Sequence, residues 1–172
     1  MKKMINRNVL TLSLGIALLP PLWAVIAPYI GITTGAVALI CAGVYVANGN
    51  NVKDGLRIMI GFWCGDAWAI LALVIMKTLQ WNENLELFVT LFVLGGLAVI
   101  IASIFANVIF LPAWLCGWAI GLTIMAPVGL NAIGSLPVQI AAAMAAGVWY
   151  VGAGVDAFQK FLLKKNKTHD KA

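Results

Sequence analysis

Six apolar stretches, each close to the roughly 20 residues that a helix needs to cross a hydrocarbon core, fill almost the whole chain. They are Val9–Ile26, Ile30–Ala47, Leu56–Leu79, Leu85–Phe105, Val108–Ala126 and Val138–Phe158. The runs are too long, and too poor in alternation, for barrel strands of about ten residues. A helix also satisfies its own backbone in lipid, which an open sheet cannot do. With 63% hydrophobic and 10% charged residues in 172, the chain carries more apolar surface than one water-soluble core can hide. The expected fold is all-α: a polytopic membrane helical bundle of about six transmembrane helices, with a transmembrane domain over 1–163 and a basic tail over 164–172.

Basic residues set the expected orientation. Lys2, Lys3, Arg7, Lys53, Arg57, Lys160, Lys164, Lys165, Lys167 and Lys171 fall on one side of a six-span chain. Only Lys77 falls on the other, beside Glu83 and Glu86. Both termini are therefore expected in the cytoplasm, and the net charge of +5 reflects topology, with no nucleic-acid partner implied. The tail is a solvated anchor that also meets anionic lipid headgroups. The start, Met1–Leu19, has the basic and apolar regions of a signal peptide as well. Pro28 after the best cleavage site, at Ala27, and Pro20–Pro21 within the run favour a retained, kinked first helix.

Glycine is the strongest packing signal. Gly31 and Gly35, Gly61 and Gly65, and Gly117 and Gly121 have GxxxG spacing, and Gly147, Gly152 and Gly154 line the last span. Lipid-facing surfaces need no glycine, so these positions predict helix contacts within the bundle or between the protomers of a homo-oligomer. Phe62-Trp63-Cys64-Gly65 on the third span matches Trp114-Leu115-Cys116-Gly117 on the fifth. Ala42-Gly43-Val44-Tyr45 matches Ala146-Gly147-Val148-Trp149. The matches point either to repeated helical hairpins about an axis normal to the membrane or to coincidence in apolar sequence.

Asp66 is the candidate centre. It lies nine residues inside Arg57, roughly 13 Å at 1.5 Å per residue, near the midplane. A carboxylate there costs at least about 2.5–3.5 kcal/mol, to be offset by a partner, by water or by protonation. No basic residue sits at matching depth, so the available partners are neutral donors. Asp66 is either functional or a hydrogen-bonding glue between helices. Phe62, Trp63, Ala69 and Ile70 share its side, while Trp68 points elsewhere. On the fifth span Trp114, Trp118, Gly121 and Met125 form a stripe at helical spacing that is packing or pore lining. Asn107 in the inner turn and Asn131 in the outer loop, 127–137, cap helices or line pore mouths, and that apolar loop is a candidate re-entrant segment. Asp156 and Lys160 read as a surface i,i+4 pair.

Cys41, Cys64 and Cys116 all lie in spans, in an odd number and without metal-ligand spacing, and read as packing residues. The lone His169 is in the tail. No cofactor and no metal are expected. Catalytic and nucleotide motifs are absent and the polar loops are short, so no enzyme is expected.

The basic start before Leu19-Pro20-Pro21-Leu22-Trp23, the segment Gly61–Asp66 and the entry Leu111-Pro112-Ala113-Trp114 resemble the family of small bacterial inner-membrane proteins that includes YcdZ. That resemblance implies a bacterial inner-membrane location and solute passage, and assigns no functional residue. In helix count the chain is also similar to small amide and urea channels. The expected function is a channel, facilitator or transporter for a small neutral solute, with a non-transporting scaffold or assembly subunit as the alternative. A continuous polar path past Asp66 would favour passage, and a dry, close-packed interior the scaffold.

Overall fold

The computed structural model describes residues 7–79 and 81–169. Lys2, Lys3 and Lys171, and the side chains of Arg7, Lys165, Lys167 and His169, lie outside that description. Among the described residues all regular structure is helical: α1 (Arg7–Ile26), α2 (Val37–Ala47), α3 (Gly55–Leu79), α4 (Glu83–Ile104), α5 (Leu111–Met125), α6 (Leu136–Ala146) and α7 (Gly154–His169). A π-helical stretch, Gly147–Ala153, joins α6 to α7 in one rod. Four stretches, Asn8–Ile30, Val52–Leu79, Glu83–Ile104 and Leu136–Lys164, are long and apolar enough to cross a membrane. The chain is an all-α membrane protein.

Local chemistry explains the helix ends. Asn82 caps α4 by accepting from the Asn84 amide, and Glu83 and Glu86 follow in the first turn, where they favour the positive end of the helix dipole. Pro112 and Pro137 sit in the first turns of α5 and α6, where no amide donor is needed. Through Pro20 and Pro21 α1 continues as one helix. The second expected span is shorter than its apolar run. Gly31 turns into the left-handed region at φ 81°, and residues 31–36 form turns before Val37 starts α2. At 11 residues α2 rises about 16 Å, and α5 at 15 residues about 22 Å, both less than a hydrocarbon core of about 30 Å.

Two parallel crossings build the interior. On α3 and α5, Gly61 meets Ala113 and the Phe110 carbonyl, Gly65 meets Trp114, Gly117 and Trp118, and Ala69 meets Gly121. On α2 and the last rod, Gly147 sits on Ala38 and Cys41, and Gly152 on the Tyr45 ring. At Gly65, Gly117 and Gly147 an added Cβ would stand inside 3.0 Å of the partner's backbone, so only glycine allows these backbones to touch.

The second crossing repeats the first with chain order reversed. In one, α3 carries the glycine and α5 the bed; in the other, the last rod carries the glycine and α2 the bed. On the beds, 114 to 121 and 38 to 45 are both seven residues. On the glycine helices, 65 to 69 is four residues and 147 to 152 is five. The π-helical stretch holds that extra residue. The outer helices follow suit, α4 packing on α3 and α1 antiparallel on α7, with Gly15 against Val155. The equivalent units are thus α1–α3 and α4–α7, three rods each and opposite in direction. The motif shared by α3 and α5 marks the two partners of one crossing, not corresponding places in repeated hairpins.

The outer surface is apolar, with Phe88, Phe92, Ile100 and Ile104 exposed on α4 and Leu14, Leu18 and Val25 on α1. A groove of about 440 Å³ separates α2 from α5, lined by Val37, Ile40, Ala119 and Thr123 among others. Gly43 and Gly96 face open space on that surface.

Candidate functional site

Asp66 lies at the α3–α5 crossing, 5% exposed. Its Oδ1 rests 3.2 Å from the place of a Cβ on Gly121, with the Met125 methyl equally close to that place. Oδ1 is buried and has no hydrogen-bond partner among the described residues. The missing side chain at Gly121 is what makes room for the carboxylate. Phe62, one turn away on the same flank, is fully buried. Trp63 belongs to this flank as well, but it is 42% exposed and its indole N–H donates to the Ala141 carbonyl at 3.0 Å. It ties α3 to α6 from outside the core.

Trp114 and Trp118 are buried on the other flank. Trp68, two residues and so roughly 200° round the helix from Asp66, donates to the Leu94 carbonyl of α4 at 3.1 Å. Trp114 stands edge-on to Trp68 with ring centroids 5.1 Å apart and packs with Ala98 and Ala102. Trp118 lies beside Gly95. The crossing therefore divides the sequence-derived candidates: Asp66, Phe62 and Trp63 face α6, and Trp114 and Trp118 face α4. Trp23, Trp63, Trp68 and Trp149 all give their indole N–H to an acceptor, whereas those of Trp114 and Trp118 are buried without one among the described residues.

At the far end of the Asp66 stripe the chain opens. Leu73 and Lys77 follow Asp66 at helical spacing and join Val128, Gly129, Leu130 and Asn131 around a cavity of about 360 Å³. The Lys77 ammonium donates to Asn131 Oδ1 at 2.7 Å, so Asn131 lines a mouth. The 127–135 loop is a series of turns with Gly129 and Gly134 at positive φ, and Leu130 and Ile133 pack from it onto the core. Leu73 and Met125, 9% and 0% exposed, lie between this vestibule and the carboxylate. Asn107 is exposed in the turn at the opposite end, away from Asp66.

Sequence reading missed Thr90 and Leu73, placed Met125 only in the stripe with Trp114 and Trp118, and took Lys77 only as an orientation marker. Thr90 is 2% exposed and its hydroxyl has no partner among the described residues. The stripe Thr90, Leu94, Ala98, Ala102 at four-residue spacing gave the available signal. Asp156 is a correction: it does bond Lys160, at 2.6 Å, but it is buried at 7% exposure and is no surface group. Among the described residues, no group of three or more His, Cys, Asp or Glu stands together to hold a metal ion.

No curated protein and no solved structure matches the chain. A family model does, over residues 13–160, which takes in both crossings, Asp66 and the vestibule. The chain belongs to that family, described as "Protein of unknown function (DUF1097)".

Proposed function

We propose that the protein is a gated facilitator or transporter for a small neutral solute, entering by the Lys77–Asn131 vestibule and passing Asp66. The observation that carries this reading is the alignment of vestibule, apolar plug and unpaired carboxylate on one helix face. Lys77 and Leu73 stand 11 and seven residues beyond Asp66, two to three turns of the same stripe. Two oppositely directed halves, each with a short second helix, form the architecture in which transporters place a midplane site. The short second helix of each half, α2 and α5, supports that comparison, and Asp66 lies against Gly121 of α5.

The interior argues against a permanently open pore. Backbones touch at Gly65 and Gly117, Phe62 closes the space on the Arg57 side, and Leu73 and Met125 close it on the vestibule side. Passage then requires the plug or the halves to move, which suits a facilitator with an occluded site. An anion is disfavoured beside Asp66, since no basic side chain among the described residues bonds the carboxyl and a buried ion without a partner is expensive. The same dry packing favours the second reading, a non-transporting scaffold in which Asp66 fixes helix contacts.

The location belongs to this proposal. With basic residues gathered at the Lys53, Arg57 and Lys160 end, that end is cytoplasmic and the membrane is the bacterial inner membrane. Exposed Gly43 and Gly96, which lipid does not require, support a homo-oligomer.

Stopped-flow light scattering on proteoliposomes tests the reading with urea, acetamide, glycerol and ammonium. Flux above that of empty liposomes for at least one solute is expected. Folded, inserted protein that passes none of them would move the assignment to the scaffold.

A further inference from the structure

The α4–α5 seam holds three buried donors without a hydrogen-bond partner among the described residues: Trp114 Nε1, Trp118 Nε1 and Thr90 Oγ1. They are 3%, 7% and 2% exposed at residue level. Each departs from the habit of its kind in this chain. Trp23, Trp63 and Trp68 donate to backbone carbonyls, and Trp149 to the Met59 sulfur. Thr11, Ser13, Thr78, Ser103 and Thr123 turn their hydroxyls to a carbonyl three or four residues back on their own helix. Thr90 does not, although the same option exists for any helical threonine.

The three follow one another along the seam. Trp114 packs at Ala98 and Ala102, Trp118 lies beside Gly95, and Thr90 is the next turn of the same α4 stripe. Buried donors left without acceptors call for a bound group that brings acceptors. A cation is repelled by such a row. An anion would sit in a low-dielectric seam with no Lys, Arg or His on this stretch of α4 or α5. What remains is a small neutral molecule with a hydrogen-bond-accepting oxygen.

We propose that the seam formed by Trp114, Trp118 and Thr90 is a binding site for a small neutral solute bearing a carbonyl oxygen, which accepts from one of these donors at a time along the row. The site lies on the opposite flank of the α3–α5 crossing from Asp66. It rests on the transport reading only in identifying its occupant with the transported solute.

The test is indole N–H spectroscopy of ¹⁵N-tryptophan protein in nanodiscs, titrated with acetamide. Seven indole resonances are available, and Trp114→Phe and Trp118→Phe assign two of them. Expected is a saturable downfield shift confined to those two, with the other five unmoved. Thr90→Val, which keeps the side chain's shape, weakens the apparent affinity several-fold and guards against a Trp→Phe variant that fails to fold. Equal shifts of all seven, no saturation, a response to chloride but not acetamide, or exchange with water alone would overturn the site. Shifts in protein that passes no solute in liposomes retain the seam and sink the transport reading. Flux of acetamide with unmoved Trp114 and Trp118 does the reverse.

Discussion

Replacing Gly147 by alanine tests the claim that two equivalent backbone crossings hold the bundle together. The new Cβ would stand 2.6 Å from Cys41 Cβ and 2.8 Å from Ala38 Cα, against the 3.4 Å at which ordinary contact begins. The two helices must part by most of the 0.8 Å between 2.6 and 3.4 Å, because a backbone atom cannot rotate away as a side chain can. Overpacking of this kind costs about 1–3 kcal/mol, and the backbone neighbours put Gly147→Ala in the upper half of that range. Gly65→Ala meets the same obstacle against Trp114, Gly117 and Trp118 and should cost at least as much. Gly154→Ala is the control: the nearest atom, Leu19 Cδ1, would stand at 3.5 Å, ordinary contact, so alanine's better helix propensity should stabilise by up to about 1 kcal/mol. Reversible unfolding in mixed micelles against SDS fraction gives all three values. A Gly147 variant within about 0.5 kcal/mol of the wild type would refute the reasoning. It would mean that the π-helical stretch yields and that the crossing is not a fixed contact.

Met125→Ala removes half of the plug beside Asp66, and proteoliposome flux should rise several-fold for the solute that the wild type passes; unchanged flux would place the gate elsewhere. Gly96→Leu fills an exposed helix surface and should shift the protein from oligomer to monomer by light scattering in detergent, while a monomeric wild type would remove the oligomer altogether. Lys160→Met strips the buried Asp156 of its 2.6 Å partner and should lower the melting temperature, and the double variant Asp156→Asn, Lys160→Met should recover part of the loss. A double variant no better than the single one would show that the pair is not coupled.

The helices were legible because apolar length states the membrane requirement directly: α1, α3 and α4 lie within two residues of their apolar runs. α2 was not, because an apolar segment such as residues 30–36 reads alike whether helical or turned, and only the left-handed Gly31 decides. The glycine pairs were visible as packing signals, but pairing α3 with α5 and α2 with the last rod requires the tertiary contacts. The inverted halves were hidden for the same reason. Their equivalence lies in backbone contact, and the side chains on the two crossings differ, Tyr45 over Gly152 in one and Gly121 over Ala69 in the other. Midplane depth singled out Asp66 without help from structure. Grouping Trp114 and Trp118 with it failed because sequence spacing fixes the face within one helix and not the neighbour that the face meets. Asp156 looked like a surface charge since burial at a helix end leaves no periodic mark.

The central claim is that solute passes Asp66, and the direct measurement is flux through Asp66→Asn and Asp66→Leu beside the wild type. Both variants are to be inserted in liposomes at matched density and checked for folding by near-UV circular dichroism. The account predicts altered flux in Asp66→Asn, which keeps the shape and replaces the carboxylate with an amide. It predicts loss in Asp66→Leu, which fills the pocket left by Gly121 with hydrocarbon. Wild-type flux in both folded variants would contradict it and leave Asp66 as a structural contact between helices.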